Sequence, residues 1–124
     1  MKSNLFFLAF LCLMTACKSK ESCEPQPSTV SFSNALQPLL AQNCANAPCH
    51  GGAQPAGGLD LSEVKAYQQL TQPGSGYVKP GNANGSLLYI QMNSIANPMP
   101  PSGKLSDCQL ELVKNWINQG GLDN

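Results

Sequence analysis

The sequence predicts a small all-α domain of short helices and long loops. Apolar residues recur at helical spacing in several short segments, no segment alternates apolar and polar residues as a strand would, and glycine, proline and asparagine dominate the stretches between. The 124 residues suffice for one folded unit. Phe32, Leu36, Leu39, Leu40 and Asn43 predict a first helix that delivers the chain into Cys44, with Ser31 or Ser33 as N-cap and Pro38 kinking it or shifting its start. Gly51 to Gly58 should be an irregular loop. Ser62 should cap a short helix to about Leu70, with Val64, Tyr67 and Leu70 on one face. Gln72 to Gly85 should be a loop held by its surroundings, a role that a buried prosthetic group would fill. Ser86 opens a helical run over Leu87 to Met92, and Asn97 to Pro101 is again irregular. The last helix is the best specified: Ser106 and Gln109 form a capping-box pattern, Leu105 can pack against Leu110, the apolar face runs Leu110, Val113, Trp116 and Ile117, and Gly120-Gly121 ends it. Short helices and long loops make a thin core for roughly 95 folded residues, which a disulfide or an embedded cofactor would strengthen.

The run Cys44-Ala-Asn-Ala-Pro-Cys49-His50-Gly51 carries the chemistry. Two thiols followed at once by an imidazole suit covalent attachment of a c-type haem, in which both sulfurs form thioethers to the porphyrin and the histidine becomes an axial iron ligand. The usual spacing has two residues between the cysteines. Here Ala45 to Pro48 must loop out for both sulfurs to reach one porphyrin edge, and small alanines with turn-forming Asn46 and Pro48 suit that loop. The rival reading is a short-loop disulfide beside an exposed histidine.

The amino terminus reads as an export signal. Leu5 to Met14 is almost wholly apolar, follows Lys2 and ends at Thr15 and Ala16, and it is too short to span a bilayer. Met14-Thr15-Ala16-Cys17 resembles a lipobox, whose cysteine is acylated and becomes the mature terminus; the alternative is an ordinary signal peptide cleaved nearby. The resulting plan is a signal peptide over 1–16, a tether over 17–29, rich in charge, serine and proline, and a folded domain over 30–124. Loss of Cys12 with the signal leaves five cysteines. With Cys17 lipidated and Cys44 and Cys49 on haem, Cys23 and Cys108 remain, as one possible disulfide or as two free thiols.

Charge excludes several functions. Seven lysines, no arginine and seven acids leave no basic stripe for nucleic acid and no bidentate clamp for phosphate or carboxylate substrates. His50 is the one histidine and sits among cysteines, so a hydrolase is hard to assemble and the chain reads as a non-enzyme. A second axial ligand should lie far along the chain in a loop. Met99, between Pro98 and Pro100-Pro101, is the candidate; Met92 competes, but its apolar helical run assigns it to the core. Trp116, Tyr67 and Tyr89 are core aromatics that could border a haem, and Lys79 and Lys104 are surface charges.

The arrangement resembles the small cytochrome c domain of planctomycete and Bacteroidetes exported proteins, over almost all of Ser31 to Asn124. The resemblance rests on Leu36-Gln-Pro38-Leu-Leu40, Cys49-His50-Gly51, Gly57-Gly-Leu-Asp-Leu61, Lys79-Pro-Gly81, Ser86-Leu-Leu-Tyr89, Met99-Pro-Pro101, Leu105-Ser-Asp107 and Trp116-Ile-Asn-Gln-Gly120, in that order. It implies a mostly helical cytochrome c fold around one haem c, thioethers at Cys44 and Cys49, axial His50 and Met99, and a Cys23–Cys108 pair. The four-residue gap between Cys44 and Cys49 departs from the common pattern. The expected protein is a monomeric electron carrier, an exported lipoprotein of the periplasm or outer membrane of a Gram-negative bacterium, that meets redox proteins and reaches the membrane through its lipid. The alternatives are a cofactor-free, disulfide-stabilised binding module and a copper or zinc lipoprotein using Cys44, Cys49, His50 and Met99.

Overall fold

The computed structural model describes residues 22–124. Cys17 and the signal segment lie outside the described residues. Helices α1 (Gln37–Asn43), α2 (Ala66–Thr71), α3 (Leu87–Asn93) and α4 (Asp107–Asn118) are joined by loops that contain two single 3₁₀ turns, and no strand occurs among the described residues. This is the all-α architecture the sequence predicts.

The first helical segment begins as a wide π turn over Phe32–Leu36, capped by Ser31, whose hydroxyl accepts the Asn34 N–H, and it tightens into α1 at Gln37. Pro38 explains the change of pitch. Its ring displaces the carbonyl four residues back and it has no N–H to donate, so the chain is wider before it and regular after it. Leu36, Leu39 and Leu40 are buried, and Cys44 follows as the C-cap, its N–H donating to Leu40 O.

Helix α2 starts later than its sequence suggests. Ser62 to Lys65 form turns, with Ser62 O accepting the N–H groups of Lys65 and Ala66, and the helix proper begins at Ala66. That shift moves Val64 off the buried face: it is 85% exposed, and Ala66 and Leu70 are the buried residues. Helix α4 is as expected. Ser106 and Gln109 complete the reciprocal capping box, and Leu110, Val113, Trp116 and Ile117 are buried.

Helix α4 organises the core. Trp116 packs against Phe32 at 5.4 Å, and Phe32 meets Tyr67 edge-on at 5.1 Å. Trp116 Nε1–H donates to Leu122 O and the hydroxyl of half-buried Tyr67 donates to Gly121 O, so both polar atoms are satisfied. The Gln72–Gly85 loop is held mainly by protein: Gly81 N–H donates to Ile117 O, Ala83 N–H donates to the Asn118 side chain, and fully buried Ser86 bonds Lys79 N–H and Asn82 O. Of this loop only Tyr77 lines the apolar hollow beside His50.

The two ends of the folded unit meet. Phe32 N–H donates to Asn124 Oδ1, and the Ser31 and Ser33 hydroxyls and Ser33 N–H all reach Asn124 O. Before that point Cys23 is disulfide-bonded to Cys108 in the first turn of α4, with Cα atoms 5.2 Å apart. The pairing proposed from the leftover cysteines is therefore present. No helix among the described residues is long and apolar enough to cross a membrane.

Candidate functional site

The segment between α1 and α2 builds one wall of the site. Asn46 to Cys49 form a tight turn, with Cys49 N–H donating to Asn46 O at 2.7 Å, and His50 N–H returns to Cys44 O at 3.0 Å. The four intervening residues are thereby looped out and the bases of Cys44 and His50 are tied together. Gly51 makes this closure possible. Its Cα packs so closely on Ala45 that any Cβ would collide with the Ala45 carbonyl.

His50 is held at several points. Its carbonyl accepts Leu61 N–H at 2.7 Å, and its Nδ1 lies 3.1 Å from Ala56 O and 3.2 Å from Leu59 O. Carbonyl oxygens only accept, so Nδ1 carries the proton. In the neutral ring the lone pair is therefore on Nε2, and no residue described here bonds it. This is the tautomer and orientation a metal-ligating imidazole needs.

Two adjoining apolar cavities, of about 210 and 390 Å³, open beside this loop. Cys44, His50 and Met99 line both, and Cys49 lines the larger. Of the candidates, the structure therefore brings Cys44, Cys49, His50 and Met99 to one hollow. Met99 is presented from the proline-rich loop, its N–H donating to Gln91 O near the end of α3, and it is 37% exposed. Met92 is buried, as expected of a core residue, yet it also lines the smaller cavity. Trp116, Tyr67 and Tyr89 do not line the hollow. Tyr77, Leu87, Leu88 and Gln91 do, and sequence reasoning did not assign them. Their one usable signal was position, on α3 and in the loop before it.

No Lys, Asp or Glu lines either cavity. Burial pushes the Cys44 thiol up to about 11, with the neighbouring Cys49 adding to the rise. Among the described residues no three His, Cys, Asp or Glu side chains gather as a metal cage. The copper or zinc alternative thus lacks its preformed site. The cofactor-free alternative lacks its disulfide too, because Cys44 and Cys49 are free thiols. The donor set and the surroundings fit a haem: two thiols, a lone-pair imidazole and a thioether border an apolar hollow of ligand size.

Fold and site define a small cytochrome c-like domain. Residues 47–103 match the family model of the Planctomycete cytochrome C, a segment that contains Cys49-His50 and Met99-Pro-Pro101 and starts just after Cys44. The match agrees with the resemblance read from the sequence, over somewhat less than half of the chain. Among solved structures it is similar to a chain of Kuenenia stuttgartiensis hydrazine synthase, with a TM-score of 0.50 and 24% identity over 74% of this chain. That likeness concerns the fold, and the protein spans only 16% of the length of the matched chain. No curated protein matches it.

Proposed function

We propose that this protein is a monomeric, non-enzymatic single-electron carrier with one covalently attached haem c. Cys44 and Cys49 hold the group by thioethers, and His50 and Met99 are the axial ligands. The observation that carries the reading is His50: its Nδ1 proton is pinned by two carbonyls and its Nε2 is left free beside Cys44, Cys49 and Met99. Haem bound there supplies a one-electron ferric/ferrous couple. The chain's own residues set its conditions. Met99 offers a thioether, which favours the reduced state and raises the potential. Leu59, Leu61 and Leu88 exclude water from one side. Cys44, at the end of α1, fixes the group to a buried segment of the fold.

The lipobox-like run at Cys17 supports an acylated, membrane-anchored form facing the periplasm or lying on the outer membrane of a Gram-negative cell. Partners would be redox proteins met in brief encounters, which bury less than about 1,200 Å². The test is the intact mass of denatured protein expressed with haem-maturation machinery: one haem should remain attached. Haem fully released by acid-acetone, or never incorporated, would refute the reading. Detergent partitioning with mass spectrometry of the mature terminus tests Cys17 separately.

A further inference from the structure

The support of His50 extends beyond the two carbonyls that touch it. The Leu59 carbonyl and the Asp60 N–H belong to one peptide group, which is planar and trans, so its two polar atoms point in opposite directions. On one side the carbonyl accepts His50 Nδ1–H at 3.2 Å; on the other, Asp60 N–H donates to Gln69 Oε1 at 2.7 Å. Gln69 lies on α2, so one rigid unit connects that helix to the imidazole. The Asp60 carboxylate locks the same turn from below. Its Oδ1 accepts Ser62 N–H at 2.9 Å, its Oδ2 accepts Lys65 Nζ at 2.9 Å, and the side chain is 8% exposed. The other carbonyl near His50 is differently placed: Ala56 O already accepts Leu59 N–H. Among the described residues Leu59 O has only His50.

We propose that Gln69 is a positioning residue for His50, acting through the Leu59–Asp60 peptide. By accepting Asp60 N–H it fixes the direction of the Leu59 carbonyl and polarises it, which strengthens the bond to His50 Nδ1–H and makes Nε2 a better donor. The chain of contacts is present whatever occupies the hollow; its effect on iron rests on the haem reading.

The experiment is hydrogen exchange at His50 Nδ1–H in the haem-loaded protein and in haem-free protein, with the Val113 amide on buried α4 as the reference for overall stability. Gln69→Leu removes the acceptor and should speed exchange at His50 by about tenfold beyond any change at Val113, the consequence of losing one supporting hydrogen bond. Gln69→Glu restores an acceptor and should return exchange to near the parental rate. Gln69→Asn, which withdraws the acceptor by one methylene from a half-covered position, makes the same test if the leucine variant does not fold. Exchange at His50 that is unchanged, or that rises only in step with Val113, overturns the proposal. A sample without covalent haem would sink the cytochrome reading instead, because the His50 measurement runs in either state.

Discussion

Gly51→Ala should be among the most damaging single-methyl additions in this protein. Gly51 is not one of the glycines with positive φ, so the backbone itself accepts alanine. The obstacle is the new Cβ, which would overlap the Ala45 carbonyl oxygen and lie 2.7 Å from the carbonyl carbon. Neither atom can swing away as a side chain would. Relief requires moving the Ala45 backbone, whose N–H is bonded to Leu40 O at 2.9 Å and which stands inside the loop closed by His50 N–H and Cys44 O. Overpacking of this kind costs about 1 to 3 kcal/mol, and losing one of those bonds adds about 1 kcal/mol. A loss of about 2 to 4 kcal/mol lowers the melting temperature of a domain this size by roughly 10 to 20 °C. Thermal unfolding by circular dichroism measures it, and the yield of haem-bearing protein should fall as well, since Cys44 and Cys49 sit at the ends of the displaced loop. The clash is with backbone, so adding Ala45→Gly should not rescue the variant. Parental stability in Gly51→Ala, or recovery in the double variant, refutes the reasoning.

Met99→Ala should open an axial position, lower the reduction potential and admit cyanide or carbon monoxide with the protein still folded; Met92→Ala, at a buried site, should cost about 2 to 5 kcal/mol and leave the visible spectrum in place. The ligand assignment fails if the spectra change the other way round. Removing the Cys23–Cys108 bond, which closes a sequence separation of 85 residues, should destabilise by roughly 4 to 5 kcal/mol in the chain-entropy picture, readable by denaturant melts of the Cys23→Ser/Cys108→Ser pair; peptide mapping that finds either thiol free in the parent would count against it. Bonds from Ser62 and Lys65 hold the Asp60 carboxyl down to about 2. Because that value is depressed, its stabilisation is complete above about pH 4, the unfolded carboxylate range, and disappears as pH falls through about 2. Asp60→Asn should flatten the acid limb of melting temperature against pH in that window, and an acid limb equal to the parent's would refute the assignment.

What the sequence disclosed was the chemistry written in side chains. Ser106 and Gln109 are a local signal, complete within four residues, and α4 formed where they placed it. Cys44, Cys49, His50 and Met99 announced themselves by type and came together in one hollow. What stayed hidden was decided by backbone and by distance. The partners of His50 Nδ1 are main-chain carbonyls of Ala56 and Leu59, which no residue type marks. Gln69 looked like one glutamine among several, because its function depends on a peptide nine residues away. Val64 was misplaced because periodicity ran smoothly through Ser62 to Leu70, while the chain made turns there and entered α2 three residues late. Tyr77 sits in a loop with no period at all.

The meeting of Ser31, Phe32 and Ser33 with Asn124 has an architectural consequence. Cavity walls come from residues between Asn43 and Pro101, so the junction where the unit is entered and left contributes nothing to the hollow. A fold whose entrance and exit are side by side can be spliced into a longer polypeptide, strung in tandem or permuted at that seam, and each copy would present the same uncluttered mouth to its surroundings.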